Sequence, residues 1–320
     1  MIARYFAALV FLGTIAPAYS APYPDKQVRI IVPYTAGGSV DLVAREIAHR
    51  LKDELGQTFI VENRAGASAN IGANFVAKSD PDGYTLLATA ATTLAAAPSM
   101  FKNLPYDPRK DLSAVAMVAA QPNVLVVHPS LPVTTVQQFI DLARSKPGEI
   151  NYAIAAVGGP QHMAGEMFMA STKTRLNRVP YKGGANAITD LVGGQVDAMF
   201  AVLPEALPFI KSGGLRPVAV TTRERTELLP DVPSMQEAGL AGYELIGWIG
   251  LAAPSKTPPE VVERLNGAIQ KLLGTDSFKQ WLYGVGLEPM GGSVDTVRKF
   301  VDGEVDKYRR LVEQAGIEPM

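Results

Sequence analysis

Residues 27–51 read QVRIIVPYTAGGSVDLVAREIAHRL and decide the fold. The apolar run at 27–32 predicts a strand. After two glycines, apolar residues recur every three or four positions from Val40 onward, which predicts a helix over 39–55. A strand followed at once by a helix is the first unit of an α/β protein.

Strand-like and helix-like segments alternate beyond this stretch. The first block predicts strands at 27–32, 58–63 and 84–90 and helices at 39–55 and 70–78. The second block predicts strands at 123–129, 150–155, 176–181, 195–201 and 215–221 and helices at 136–145, 161–172, 185–192 and 204–211. Such alternation predicts parallel sheets with right-handed crossovers. Two blocks in 320 residues predict two lobes, because a single core is near its size limit at this length.

The rest of the chain predicts a strand at 243–254 and helices near 258–273 and 293–315. These elements are too few for a lobe of their own, so we expect them to return to the first lobe. Two antiparallel segments near 113–125 and 240–252 would then cross between the lobes as a hinge.

The predicted fold class is therefore α/β with two lobes, each a mostly parallel sheet flanked by helices, joined by two hinge strands. The predicted lobe boundaries are 21–122 with 246–320 for lobe 1, and 123–245 for lobe 2. The Ala-rich stretch at 88–97 is expected to be a strand and a loop that pack closely.

The first twenty residues, MIARYFAALVFLGTIAPAYS, have Arg4 before a short apolar stretch and small residues at Ala18 and Ser20. This pattern is typical of a secretory signal peptide cut after about Ser20. An N-terminal membrane anchor is the alternative, but the apolar stretch is short for a span and Pro17 follows it. The chain has no cysteine, so it offers no disulfide and no acylated anchor. We expect export to the periplasm.

Composition excludes some classes of function. The formal net charge of -1 gives no electrostatic footprint for nucleic acid. The three histidines are far apart in sequence, which argues against a histidine metal site. No nucleophile-elbow, P-loop, dinucleotide or zinc-protease motif occurs. We therefore expect neither an enzyme, nor a cofactor, nor a metal.

The glycine turn at 33–41 is the first candidate site, because ligands of open α/β sheets bind beyond the carboxyl ends of the strands. Gly37 and Gly38 would allow close backbone approach. Ser39 is the expected N-cap of a helix whose first N–H groups favour an anion. The alternative is a tight turn that binds nothing. Asp41 could stabilise the helix dipole or accept a ligand's ammonium group.

A glycine turn between a predicted strand and a predicted helix recurs at 155–162, with glycines at 158 and 159, and at 180–186. Facing helix N-termini from two lobes would suit a carboxylate. His162 could donate to the ligand, although capping or packing is an equal alternative. Lys182 could pair with a ligand carboxylate. For Asp197 and Glu205, which flank a strand end, the cleft and a solvated or capping position both stay open.

Several stretches resemble the substrate-binding proteins of tripartite tricarboxylate transporters, the Bug family. They are, in order, PYTAGGSVDLVAREIAHRL, ENRAGASANIGANFVAKSDPDGYTLL, LPYDPRKDLSAVAMV, HMAGEMF, VPYKGGANAITDLVGGQVDAMF and LPDVPSMQEAGL. The resemblance runs from about Tyr23 to the C-terminus. It implies a type II periplasmic receptor that holds a small organic anion through backbone and hydroxyl groups.

Matched position by position, the resemblance assigns ligand binding to residues of both lobes. These are Tyr34, Thr35, Ala36, Gly37, Gly38, Ser39 and Asp41, then Gly158, Gly159, Gln161, His162, Tyr181, Lys182, Gly183 and Asp197. Ala155, Ala156, Val157 and Pro160 stand where the family usually carries Ser or Thr. Ser68 and Ala69 stand in place of glycines, and Leu94 in place of a polar residue. Fewer hydroxyls favour an apolar or aromatic monocarboxylate over citrate.

The resemblance thus implies a monomeric receptor that delivers a carboxylate to permease subunits of a tripartite transporter. An amino-acid or aromatic-acid receptor acting in sensing is the alternative. An amino-acid receptor needs an anion for the ammonium group, and Asp41 or Asp197 could supply it.

Overall fold

The computed structural model describes residues 23–155, 158–181, 183–314 and 316–319. The predicted signal peptide lies outside these residues. In the part of the chain that is described, no helix combines the length and the apolar character needed to cross a bilayer.

Eleven strands and ten α-helices make up the described fold. The strands are β1 (Val28–Val32), β2 (Phe59–Asn63), β3 (Thr85–Ala90), β4 (Leu112–Gln121), β5 (Asn123–Val127), β6 (Asn151–Ile154), β7 (Asn177–Pro180), β8 (Ala198–Val202), β9 (Arg216–Val220), β10 (Gly247–Pro254) and β11 (Glu288–Pro289). The helices are α1 (Ser39–Leu55), α2 (Asn70–Ala77), α3 (Ala97–Met100), α4 (Val136–Ser145), α5 (Pro160–Thr172), α6 (Gly184–Val192), α7 (Leu203–Lys211), α8 (Pro259–Leu273), α9 (Asp276–Gly284) and α10 (Val294–Gln314).

Two sheets form two lobes, which confirms the predicted α/β architecture. The first sheet has the order β11-β4-β10-β3-β1-β2, and the second β7-β6-β8-β5-β9. In the first, β1 lies parallel to β2 and β3, while β10 lies antiparallel to β3 and β4. In the second, β6 lies parallel to β7 and β8, while β5 lies antiparallel to β8 and β9.

Most strands of each sheet share one direction, as predicted: β1, β2, β3 and β4 in the first sheet, and β6, β7, β8 and β9 in the second. The crossing strands β10 and β5 run against their neighbours and make the sheets mixed. β5 enters the second sheet directly from β4 through Pro122, and β10 enters the first sheet after the chain returns from the second lobe. Each starts at the hinge and runs away from it, whereas the neighbours β8 and β3 run towards it.

The hinge is antiparallel, as predicted. β4 and β10 pair along their lengths, and Gln121 lies opposite Gly247 where the two strands meet the second lobe. The Asn123 side-chain amide donates to the Leu245 carbonyl at 3.4 Å, which joins the outgoing and returning segments. The strands of the two sheets fall within the predicted lobe boundaries, and the boundaries themselves stay a prediction.

The Ala-rich stretch is helical, so the expected strand and loop at 88–97 is wrong after β3 ends at Ala90. Residues Thr92–Ala96 form a π-helix that continues into α3. Thr93, Leu94 and Ala95 are buried there. Small side chains permit this packing but show no apolar periodicity, so the pattern did not indicate a helix here.

The lobes contact each other at two places. A Cβ added to Gly158 of the second lobe would lie 2.6 Å from Met100 Cε of the first. A Cβ added to Gly286 of the first lobe would lie 2.9 Å from Pro204 Cα of the second. One cluster of buried apolar residues includes both Met100 and Phe168, so the lobes share buried surface.

Candidate ligand-binding cleft

The first glycine turn joins β1 to α1. Gly37 has a φ of +88°, a conformation that favours glycine. Gly38 is the N-cap of α1, in extended conformation, so the expected N-cap role of Ser39 is wrong. The Ser39 hydroxyl instead accepts a hydrogen bond from Gln121 Nε2 at 2.7 Å, which links the turn to the hinge. The helix N-terminus keeps no side-chain cap.

Asp41 stabilises this turn through hydrogen bonds. Its carboxylate accepts from the Gly37 N–H at 3.0 Å, from Arg45 Nε at 3.0 Å and from Asn63 Nδ2 at 2.8 Å. Burial by itself would raise the pKa of Asp41, but these hydrogen bonds lower it on balance. The side chain is 2% exposed and lines none of the cleft cavities described below, so it is not placed to receive a ligand's ammonium group.

The second glycine turn joins β6 to α5 and has the same geometry. Gly158 has a φ of +78°, and Gly159 is an extended N-cap without a side-chain cap. The Gly158 N–H donates to His162 Nδ1 at 3.0 Å. His162 Nε2 lies 3.2 Å from Glu166 Oε1 and therefore carries the ring proton. Because both ring nitrogens are used internally, His162 has the capping role that the sequence left open, and the ligand-binding role that the resemblance implied for it is wrong.

Glu166 anchors this second network. It accepts from Tyr152 Oη at 3.0 Å and from Arg178 through two hydrogen bonds of 2.6 Å. Burial would raise the pKa of Glu166, but hydrogen bonds from His162 and Arg178, with the charge of Arg178, lower it to about 2. The turn is thus held by an ionised, buried carboxylate.

The third glycine turn precedes α6, with Gly183 as its N-cap and no side-chain cap. The Tyr181 hydroxyl donates to Asp190 at 2.8 Å and lines none of the cleft cavities. Lys182 lies outside the described residues. Asp197 precedes β8 and accepts from the Asn151 N–H at the start of β6, so it lies at the sheet edge opposite the cleft. This is the capping alternative that the sequence left open, and the ligand-binding role that the resemblance implied for Asp197 is wrong.

Three adjoining cavities form the cleft between the lobes. The central one, of about 330 Å³, brings together both glycine turns and the hinge. Its lining includes Tyr34, Thr35, Gly38, Ser39, Gly159, Gln161, Gln121, Gly184, Glu205 and Trp248. Ala36 is exposed in the first turn and lines none of the three cavities, whereas Gly37 lines the cavity of about 460 Å³ beside the central one. Most of the residues predicted in the two turns thus meet here, and α1, α5 and α6 all begin at this space.

The other two cavities each share lining residues with the central one. One, of about 210 Å³, is apolar and is lined by Ala96, Ala97, Met100 and Phe101 beside Tyr34. The Tyr34 hydroxyl hydrogen-bonds with Thr92 and Thr93, so its ring faces the cleft with its polar end satisfied. The other, of about 460 Å³, shares Gly38, Ser39, Gln121, Val202 and Glu205 with the central cavity.

Sequence reasoning missed several lining residues. Gln121 lies in a hinge strand and Trp248 follows Gly247 in the other, so their place in the cleft depends on the pairing of β4 with β10. Gly184 begins α6, and Glu205 lies in the first turn of α7, directly after β8. Glu205 was not missed altogether, because its position past a strand end had left the cleft open as one of its two predicted places.

Glu205 differs from the other acidic residues described. Its Oε2 is buried and has no hydrogen-bond partner among the described residues. Burial raises the pKa of Glu205 to about 7. Among the described residues, no group of three or more His, Asp or Glu side chains could hold a metal ion.

Comparisons with known proteins agree with this architecture. Residues 43–317 match the family model described as tripartite tricarboxylate transporter family receptor. The curated relative BugT of Bordetella pertussis is 35% identical over 305 residues, which cover 95% of this chain and 94% of that protein.

Solved structures show the same fold. The R. palustris protein Rpa4515 with adipate superposes with a TM-score of 0.85 at 39% identity, covering 93% of this chain and all of that one. MatC from Rhodopseudomonas palustris with bound malate gives a TM-score of 0.79 at 30% identity, covering 91% of this chain and all of that one. The periplasmic binding protein BugD gives 0.81 at 33% identity, covering 93% of this chain and all of that one.

The identity, the coverage and the shared two-lobed fold agree with the sequence motifs that resemble Bug proteins. The chain therefore belongs to the tripartite tricarboxylate transporter receptors, the Bug family of solute-binding proteins.

Proposed function

We propose that this protein captures a small organic carboxylate between its lobes in the periplasm and delivers it to the permease of a tripartite transporter. The observation that carries the proposal is that three uncapped helices from two lobes begin at one cleft. Helix N-termini present unpaired N–H groups and favour negative charge. Relatives of this fold hold adipate and malate, both carboxylates.

Helix dipoles alone are too weak for this role. Each contributes about 0.3 to 1 kcal/mol, whereas micromolar affinity needs about 8 kcal/mol. Charge-assisted hydrogen bonds of about 1.5 to 3 kcal/mol each must supply most of the difference. The backbone N–H groups of α1 and α5 and the side chains of Ser39, Gln121 and Gln161 are the candidate donors.

The apolar cavity supports a ligand with an apolar or aromatic body. Met100 and Phe101 close that end of the cleft, and the Tyr34 ring forms part of its wall. A ligand placed with its carboxylate at the helix N-termini would bury its body here. Binding without turnover by a monomer, after cleavage of the leader near Ser20, completes the proposal.

A ligand that bridges the two lobes favours the closed arrangement, by as much as its affinity differs between the open and closed states. Gln121 is part of this mechanism because it lies in the hinge strand β4 and also lines the cleft. X-ray scattering of the protein is expected to show a smaller radius of gyration with saturating ligand than without it.

A thermal-shift screen followed by calorimetry tests the proposal. Monocarboxylates, dicarboxylates, tricarboxylates, aromatic acids and amino acids form the panel. A ligand at 100 times its dissociation constant adds about 2.7 kcal/mol to the free energy of unfolding. Gly38→Val places a side chain in the cleft, since a Cβ there meets only Thr35 O at 3.9 Å, and is expected to abolish binding.

Gly267→Val is the matched control, because Gly267 lies on the exposed side of α8 with open space around it. Stabilisation by no member of the panel, or equal binding by the Gly38→Val and Gly267→Val variants, would overturn the proposal.

A further inference from the structure

One acidic side chain in the cleft has no partner among the described residues. Glu205 lies in the first turn of α7 and lines both the central cavity and the larger cavity beside it. Its Oε2 is buried without a hydrogen bond from any described group. A buried carboxyl that is left without a partner costs stability, so a role in binding is the natural reason for its place.

The fold makes room for this carboxyl at Gly184, the first residue of α6. A Cβ added at Gly184 would overlap both carboxylate oxygens of Glu205. Any other residue at this position would therefore push the carboxyl group away. The missing side chain of Gly184 thus leaves the space that the Glu205 carboxyl group occupies at the edge of the cleft.

Among the described residues of the lining, the groups around Glu205 are neutral. They are Ala185 of α6, Ser39 and Leu42 of α1, Gln121 of β4, Val202 of β8, Gly247 and Trp248 of β10, and Val285 and Leu287 before β11. Tyr34 is the other titratable residue of the described lining, and burial raises the pKa of its phenol. Glu304 lies behind Trp248 and accepts from its indole at 3.2 Å.

We propose that Glu205 determines specificity, and that the ligand is a carboxylate that also carries a protonated nitrogen whose N–H groups donate to Glu205. The inference rests on the proposed carboxylate function, which places the ligand's carboxylate at the helix N-termini. An aminocarboxylate satisfies both halves of the cleft. Asp41 is committed to its turn and Asp197 lies at the far sheet edge, so Glu205 is the anion that an ammonium group requires.

A dicarboxylate fits the described lining less well. Its second carboxylate would face an acidic side chain with no basic group among the described residues of the lining. Like charges at short range disfavour each other, so Glu205 would have to stay protonated.

The two ligand classes predict opposite effects of pH. An ammonium ligand binds the ionised form of Glu205, and the ionised fraction rises with pH through the pKa of about 7. Its dissociation constant is therefore expected to fall about tenfold between pH 6 and pH 8. A dicarboxylate that needs the protonated form would bind more weakly over the same range.

Calorimetry with three chain-matched ligands tests the inference: pentanoate, 5-aminopentanoate and adipate, with phenylalanine and 3-phenylpropanoate as an aromatic pair. We expect an aminocarboxylate to bind at least tenfold more tightly than its deaminated analogue. Glu205→Gln is expected to remove that preference and the pH dependence. Gly184→Ala, which displaces the carboxyl without deleting it, is expected to do the same.

Asp197→Asn is the control, since it removes an acid of the same lobe that lies away from the cleft. Equal or tighter binding of the deaminated acids or of adipate to the unaltered protein would overturn this inference and leave the carboxylate function standing. If no acid of this set and none of the thermal-shift panel binds, both this inference and the carboxylate function are overturned. Lys182→Met is measured alongside, and loss of the amino preference in that variant rather than in Glu205→Gln would also overturn the assignment.

Discussion

The two glycine turns at the cleft, residues 37–41 and 158–162, share a geometry and differ in chemistry. In each, the first glycine has positive φ and its N–H donates to the side chain four residues later. The second glycine is an extended N-cap. The acceptor is the carboxylate of Asp41 in one turn and the neutral imidazole of His162 in the other.

Each turn is also tied to the neighbouring edge strand. Asp41 accepts from Asn63 at the end of β2, whereas His162 reaches Arg178 of β7 only through Glu166. The backbone geometry that exposes the helix N-terminus is therefore compatible with two different anchors. The first turn depends on one carboxylate, and the second on a chain of three side chains.

The largest effect is expected at the second anchor, where one buried carboxylate holds three side chains. Glu166→Gln removes the charge that satisfies Arg178, Tyr152 and His162, and is expected to lower the free energy of unfolding by about 3 kcal/mol. Urea denaturation measures it. Glu149→Gln, at an exposed position, is the control. A loss equal to that of the control would show that the second anchor carries no stability.

An effect of similar size is expected from acid. The pKa of Glu166 falls from its ordinary 4.5 to about 2 on folding. The folded protein thus resists protonation there, and its stabilisation, full above pH 4.5, is lost as pH falls towards 2. The difference between the unaltered protein and Glu166→Gln should shrink from about 3 kcal/mol towards zero over this window. If the difference in unfolding free energy stayed constant with pH, the stabilisation would not come from the ionised carboxylate of Glu166.

A smaller effect is expected at the first anchor. Asp41→Asn is expected to cost about 2 kcal/mol, because it weakens the charge-assisted hydrogen bonds from Arg45 and the Gly37 N–H. It should also weaken carboxylate binding by loosening the turn. Calorimetry and urea denaturation measure the two quantities. Unchanged affinity together with unchanged stability would show that the turn holds its shape without Asp41.

The smallest effect compares the two positive-φ glycines. Gly37→Ala meets no atom within 4 Å and carries backbone strain alone, which costs about 1 kcal/mol. Gly158→Ala adds a contact with Met100 of the other lobe and should cost about 1 kcal/mol more. Thermal unfolding of the two variants measures this difference. Equal melting temperatures would mean that Met100 moves aside freely.

Much of the fold could be predicted from periodicity. The helix predicted at 39–55 is observed as Ser39–Leu55, because its apolar residues pack on the first sheet. The hinge could also be predicted, because the elements after residue 243 are too few for a lobe of their own and must return to the first lobe. Side-chain partners could not be predicted, since Asp41 meets Asn63 through the pairing of β1 with β2. Asp197 lies at the amino end of β8, away from the cleft, and Glu205 lies past its carboxyl end, beside the cleft, whereas the sequence had left both places open for each.

The side-chain bond from Asn123 to Leu245 has a consequence for how such receptors diversify. The strands of the second sheet all lie between β4 and β10 in the chain, and this bond places the two ends of that insertion next to each other. A whole-lobe exchange between homologous receptors would need only two neighbouring junctions. Recombination of this kind would replace the second-lobe side of the cleft, including Glu205, while the first-lobe side kept its original sequence.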